Sequence, residues 1–150
     1  MTVLDLGNNV AVSTQIVAQA ITASSSDATA VDMSTCTWAI VHISAGTKAG
    51  TTTIYTFKVE EASDNATFTT AKKWVDGEVS TTDAEIVITA TPGATDARSY
   101  LVAIDARHVK RYVRIACDAS GGGTDSFPVS CDIVTMPDNT GDADAPDMSV

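Results

Sequence analysis

Apolar and polar residues alternate along much of this chain with the two-residue period of β-strands. The cleanest run is residues 52–61, where Tyr55, Phe57 and Val59 fall on one side and Thr56, Lys58 and Glu60 on the other. Successive side chains of a strand point to opposite faces, so this run predicts an antiparallel strand with one face buried. Residues 127–134 behave likewise, with Phe127, Val129, Cys131 and Ile133 against Pro128, Ser130 and Asp132. Residues 84–90 place Ile86 and Ile88 on one face, and residues 100–104 turn Tyr100, Val102 and Ile104 inward. Residues 37–44 are apolar on both sides, Trp38, Ile40 and His42 on one and Ala39, Val41 and Ile43 on the other. That pattern predicts a strand that is central in its sheet or covered on both faces.

Residues 101–117 read as a strand, a corner at Asp105, Ala106, Arg107 and His108, and a second strand. In the second strand Val109, Val113, Ile115 and Cys117 oppose Lys110, Tyr112 and Arg114. Turn chemistry separates the runs: Gly46 and Gly50, Ser63-Asp64-Asn65 before a return strand at 68–74, Asp76-Gly77, Thr91-Pro92-Gly93 and Gly121-Gly122-Gly123. The first 23 residues are apolar without a period, at Val3, Leu4, Leu6, Val10, Val12, Ile16, Val17 and Ile21, and read as an extended arm or an edge strand. The last fifteen carry Asp138, Asp142, Asp144 and Asp147 with little apolar surface, the composition of an extended tail. The expectation is an all-β chain: an antiparallel β-sandwich of seven or eight short strands, jelly-roll-like, over residues 24–135, flanked by an N-terminal arm or edge segment (1–23) and an acidic C-terminal tail (136–150).

Composition adds an expectation of assembly. Hydrophobic residues make up 44% of the 150, but aromatics only 5%. A core of small side chains buries little area per residue, so burial against further copies in a homo-oligomer is expected. The net charge of −10 argues against nucleic acid as a partner, because neutralising phosphates requires a basic footprint. It argues equally against an anionic membrane surface. No run reaches the length of a membrane span and no signal-peptide pattern opens the chain, so a soluble protein made in a cytoplasm is expected.

Candidate chemistry is sparse. Cys36, Cys117 and Cys131 have no metal-type spacing and read as reduced, buried side chains, although a bridge between Cys117 and Cys131 on neighbouring strands is conceivable. His42 reads as a core or interface histidine and His108 as an exposed one at a basic corner. The nucleophile, phosphate-loop, dinucleotide and zinc-protease signatures are absent. Gly121–Gly123 lacks the lysine and helix of an anion cradle, and Asp142-Ala143-Asp144 lacks the glycine and glutamate of a calcium loop. Glu60, Glu61 and Asp64 form a local acidic patch. No catalytic, cofactor-binding or metal-binding residue is assigned, no cofactor is expected, and an enzyme is the least expected class. The cluster Arg107, Lys110, Arg111 and Arg114 holds four of the nine basic residues. It reads either as a solvated strand face or as a surface that docks onto an acidic protein.

Four segments carry a resemblance. They are Asp27-Ala28-Thr29-Ala30-Val31-Asp32-Met33, Trp38-Ala39-Ile40-Val41-His42-Ile43, the run from Thr56 through Glu60-Glu61-Ala62-Ser63-Asp64-Asn65 to Phe68, and Lys110-Arg111-Tyr112-Val113-Arg114-Ile115. Together they resemble small β-sandwich structural proteins of tailed bacteriophages, over roughly residues 24–135. In that family a strand ends in an acidic pair, a Ser-Asp turn and a Phe, and a Lys-Arg-Tyr-Val-Arg strand follows later. Family members often end in a short basic segment with proline. This chain ends acidic, so no docking role is carried over to its C-terminus. The resemblance implies a capsid decoration (cement) protein at the surface of a virion, a trimer favoured as its homo-oligomer, bound to the outside of the phage head and bridging neighbouring major capsid protein subunits. Interface residues expected on that reading are Val3, Leu4, Leu6, Val10 and Val12 of the arm, with Arg107, Lys110, Arg111 and Arg114 of the corner. Two other readings stay open: a neck, tail or fibre structural protein of the same fold, and a carbohydrate-binding β-sandwich module.

Overall fold

The chain crosses repeatedly between two antiparallel sheets, and its alternating residues fill the space between them. The structure, a computed structural model, describes residues 11–20, 29–46, 53–75, 77–90, 98–120 and 128–137. The strands are β1 (Ala11–Ala20), β2 (Val31–Asp32), β3 (Cys36–Ala45), β4 (Thr53–Ala62), β5 (Thr69–Thr70), β6 (Lys72–Val75), β7 (Glu78–Asp83), β8 (Glu85–Ala90), β9 (Arg98–Asp105), β10 (Tyr112–Ser120) and β11 (Pro128–Pro137). Two 3-10 turns, Met33–Thr35 and Ala106–His108, interrupt them, and no α-helix occurs among the described residues. The turns share one start signal: the side chain of Asp32 accepts the N–H of Ser34, and that of Asp105 the N–H of Arg107.

One sheet has the order β1-β11-β3-β9, and the other β2-β10-β4, with β5 and β8 sharing the far edge of β4. All these pairings are antiparallel. The inward residues are those the alternation selects: Ala39, Val41 and Ile43 of β3, Tyr55, Phe57 and Val59 of β4, Val113, Ile115 and Cys117 of β10, and Val129, Cys131 and Ile133 of β11. They form one hydrophobic cluster between the sheets, the defining feature of an antiparallel β-sandwich.

The strand β1 lies inside the segment expected to be an arm or edge. It takes the edge role, paired with β11 from Ala11↔Thr135 to Ala20↔Pro128. At the other end β11 runs to Pro137, which pairs with Cys36 after a register shift beyond Met136, so pairing continues two residues past 135.

The structure decides three further expectations. Residues 68–74 do not form one return strand. The pairing of β5 with β4 stops at Thr70, and β6 then pairs with β7 as a separate two-stranded hairpin. Three backbone hydrogen bonds make the fork: Val59 N–H to Ala84 C=O, Ala71 N–H to Val59 C=O and Ala84 N–H to Ala71 C=O. The hairpin turn uses Gly77 at φ +86°, a left-handed conformation that favours glycine. Secondly, of the two readings of β3 the structure takes the first: the strand is central in its sheet, while its outer side stays open, with Trp38 42% exposed. Thirdly, Cys117 and Cys131 do not sit on neighbouring strands. They belong to opposite sheets, and all three cysteines are free thiols.

Candidate functional site

The two outer faces of the sandwich differ in chemistry. On the β10–β4 sheet the basic cluster meets the acidic patch. Arg114 and Glu60 are cross-strand partners, and their side chains pair at 2.7 Å. The guanidinium of Arg114 also lies 4.1 Å over the ring of Phe68, a cation–π contact. Lys110 pairs with Glu61 at 3.4 Å, and Arg111 with Asp32 at 2.7 Å. Arg107 pairs with Asp105 at 2.6 Å. Further along the sheet Lys58 pairs with Asp118 at 2.6 Å. Each of the four basic residues singled out in the sequence thus has a carboxylate of its own chain as partner. Their proximity to Glu60 and Glu61 could not be seen in the sequence, because Glu60 and Arg114 lie 54 residues apart.

These pairs leave a mark on the carboxyls. The Arg111 fork, and then the Ser34 N–H, hold Asp32 well below the usual carboxylate range. Asp105 is lowered to about 2, chiefly by hydrogen bonds from the Arg107 side chain and backbone. Asp64 is lowered by the N–H groups of Thr67 and Ala66, which it accepts at 2.9 and 3.0 Å in the turn after β4.

The outer face of the other sheet carries an apolar row between mixed ones. One row crosses all four strands: Val12 opposite Val134, Val134 opposite Ile40, and Ile40 opposite Ala103. The next rows place Trp38 between Met136 and Asp105, and His42 between Asp132 and Leu101. Val12, Leu101, Trp38 and Met136 are 64, 72, 42 and 40% exposed. Of the arm residues singled out in the sequence, Val12 belongs to this face, whereas Val3, Leu4, Leu6 and Val10 lie outside the described residues. Exposed large apolar side chains gathered on one face mark interaction surfaces more often than chance does. The sequence conceals this face, because a strand apolar on both sides reads as buried.

A cleft of about 720 Å³ opens beside β9, the free edge of this sheet, and runs under the β6–β7 hairpin. Trp38, Trp74, Tyr100, Leu101 and His108 line it, with Phe57, Val59 and Ile115 deeper. The rings of Trp74 and His108 stack at 3.5 Å and 11°. Two half-exposed tryptophans thus share one cleft, where the alternation had turned most aromatic rings inward. Among the described residues no three His, Cys, Asp or Glu side chains are arranged to hold a metal ion, and no helix is long and apolar enough to cross a membrane. Gly121–Gly123 and Asp142-Ala143-Asp144 lie outside the described residues.

No family model and no curated protein matches the chain. Among solved structures, one from the work "Bacillus endospore appendages form a novel family of disulfide-linked pili" is similar at a TM-score of 0.43 and 11% identity, over 86% of this chain and 88% of that one. At that level the likeness bears on neither fold relationship nor function.

Proposed function

We propose that this chain is a structural assembly protein, a capsid decoration protein that binds the outside of a phage head and bridges neighbouring major capsid protein subunits. The observation that carries the reading is the contrast between the two outer faces. One has its charges neutralised within the chain, and the other presents an uncharged apolar row across four strands. A face of that kind gains free energy when covered by protein, at roughly 25 cal/mol per Å² buried. Repetition by symmetry turns a modest contact into a stable lattice. The sequence resemblance to phage virion proteins supplies the partner. On this proposal the chain works as a homo-oligomer, with a trimer favoured, and resides at the virion surface without enzymatic activity. Eight of the strands, in the orders β1-β11-β3-β9 and β2-β10-β4-β8, pass repeatedly between the sheets, and we read that path as a jelly roll.

The test is co-sedimentation with purified tailed-phage heads that lack their own decoration protein. Saturable binding at a fixed ratio to the capsid subunit is expected, and protein left wholly in the supernatant overturns the reading. Labelling on intact particles separates the head from a neck, tail or fibre location. A second reading rests on the cleft: Trp38 and Trp74 at one opening are the aromatic equipment of a carbohydrate-binding module. Saturable binding in a glycan screen, lost in Trp74→Ala, would favour it over the first.

A further inference from the structure

The β6–β7 hairpin leaves the edge of β4 at the fork of Val59, Ala71 and Ala84, and among the described residues its two strands pair only with each other. All four residues of β6 are exposed, and so is Val79 on β7. A two-stranded ribbon has little stability of its own in water. Beneath it lies the cleft of about 720 Å³, lined by core residues and the free edge of β9. Away from the fork, Trp74 of β6 stacks flat on His108, which closes the 3-10 turn between β9 and β10.

We propose that the β6–β7 hairpin is a flap over this cleft, and that the Trp74–His108 stack is its latch, tightened when His108 is protonated. The proposal stands apart from the capsid reading, since the cleft and the flap exist whatever the outer face binds. Its chemistry comes from the groups around the ring. The carboxylate of Asp105 lies 3.8 Å from His108 Nδ1. An imidazolium there gains a charge partner on one side and the electron-rich face of an indole on the other. The remaining charges in and around the cleft are already engaged for the most part. Arg107 is paired with Asp105, Lys72 with Asp83, Lys58 with Asp118 and Lys110 with Glu61. Lys73 and Glu85, which also line the cleft, carry opposite charges. Arg107 shares the Asp105 carboxylate, so protonation strengthens two attractions against the repulsion of that guanidinium, which its exposure to solvent screens. Histidine side chains in general change charge between about pH 5 and 8, which sets the pH range for a test. A cation–π gain at an exposed site corresponds to about a two- to fivefold shift of the flap toward its closed position.

The test is amide hydrogen exchange of the full chain, read residue by residue by NMR and corrected for the intrinsic pH dependence. Protection over residues 72–83 is expected to rise two- to fivefold from pH 8 to pH 5, relative to β3 and β11 as internal references. In His108→Asn that rise should vanish. A second measurement needs no variant. The Hε1 resonance of His108, lying over the Trp74 ring, should sit clearly upfield of that of His42. Hairpin protection that ignores pH, a rise that persists in His108→Asn, or a His108 resonance free of ring-current shift each overturns the latch.

Discussion

Gln15 Oε1 accepts the backbone N–H of Ile115 at 3.1 Å, across the gap between the two sheets. Gln15 is the extra residue of a β-bulge in β1. Thr14 faces Asp132 and Ile16 faces Cys131, and Gln15 has no partner of its own. The Gln15 side chain lies on the inner side of β1 with Ser13, and its amide is buried in the interior. There it meets the stretch of β10 beyond β2, which pairs only with Tyr112 and Val113. The amide nitrogen of Gln15 donates to Thr29 C=O at 3.0 Å and to Ser13 Oγ at 3.0 Å. One side chain thus takes the place of a ladder rung and ties β1 to the opposite sheet.

Replacing Gln15 with Leu keeps the bulk but strands the Ile115 N–H and the Thr29 C=O. An unsatisfied buried polar group costs about 1–3 kcal/mol. Gln15→Leu should therefore lower the urea midpoint by a clear margin at an unchanged slope. A midpoint equal to that of the wild type would refute the role given to this amide.

Much of the strand layout was legible in the alternation, and the reason lies in burial. Residues 37–44, 52–61, 84–90 and 127–134 coincide closely with β3, β4, β8 and β11, because each has to bury one face between two sheets. The bulge at Gln15 was not legible, since nothing in Ser13-Thr14-Gln15-Ile16 marks an extra residue. Nor was the fork after Thr70, where Ala71 donates to β4 and accepts from Ala84 and so ends the pairing of β5. The basic cluster was found, but three of its four partners were not, because Glu60 and Glu61 come from β4 and Asp32 stands just before the first 3-10 turn, all far away in sequence; only Asp105, the partner of Arg107, lies nearby. The apolar outer face was misjudged for a simple reason: periodicity tells faces apart without telling which one a second layer covers.

The cysteines should behave as one reactive thiol and two silent ones. Burial pushes the thiols of Cys117 and Cys131 up to about 12, whereas Cys36 is half-exposed. The thiolate is the nucleophile, so a disulfide reagent at pH 8 should modify Cys36 quickly and the other two only on unfolding. Because burial disfavours the two thiolates in the folded state, this contribution to stability is intact below the unfolded thiol value of about 8.5 and declines as the pH rises from there toward 12. Three equally fast thiols at pH 8 would contradict the buried placement.

Asp105 sets an acid limb. Its carboxyl is lowered to about 2 by Arg107, so the folded state favours the charged form. Its contribution to stability is complete above the unfolded carboxyl value of about 3.9 and is lost as the pH falls through about 2. In Asp105→Asn the side chain can still accept the Arg107 N–H, but the ion pair is gone. The wild type should be the more stable protein at pH 6, and its advantage should shrink steadily between pH 4 and pH 2 in thermal unfolding. A gap that stays constant over that range would show that the pair contributes nothing.

The last prediction sets the two candidate docking surfaces against each other. Leu101 is 72% exposed at the free edge of the apolar face, so Leu101→Glu should leave folding within about 0.5 kcal/mol of the wild type. It places a charge that must lose its water wherever that face is covered, and association should fall steeply, with Trp38→Ser behaving the same way. Arg111→Ala removes a base whose partner is Asp32 of the same chain, and with it a cation–π contact to Tyr112 at 5.0 Å. If the basic corner already spends its charge internally, this variant should associate like the wild type. Sedimentation with and without capsids, run on all three variants, decides between the surfaces. Binding that survives Leu101→Glu and disappears in Arg111→Ala would move the interface from the apolar sheet to the corner between β9 and β10.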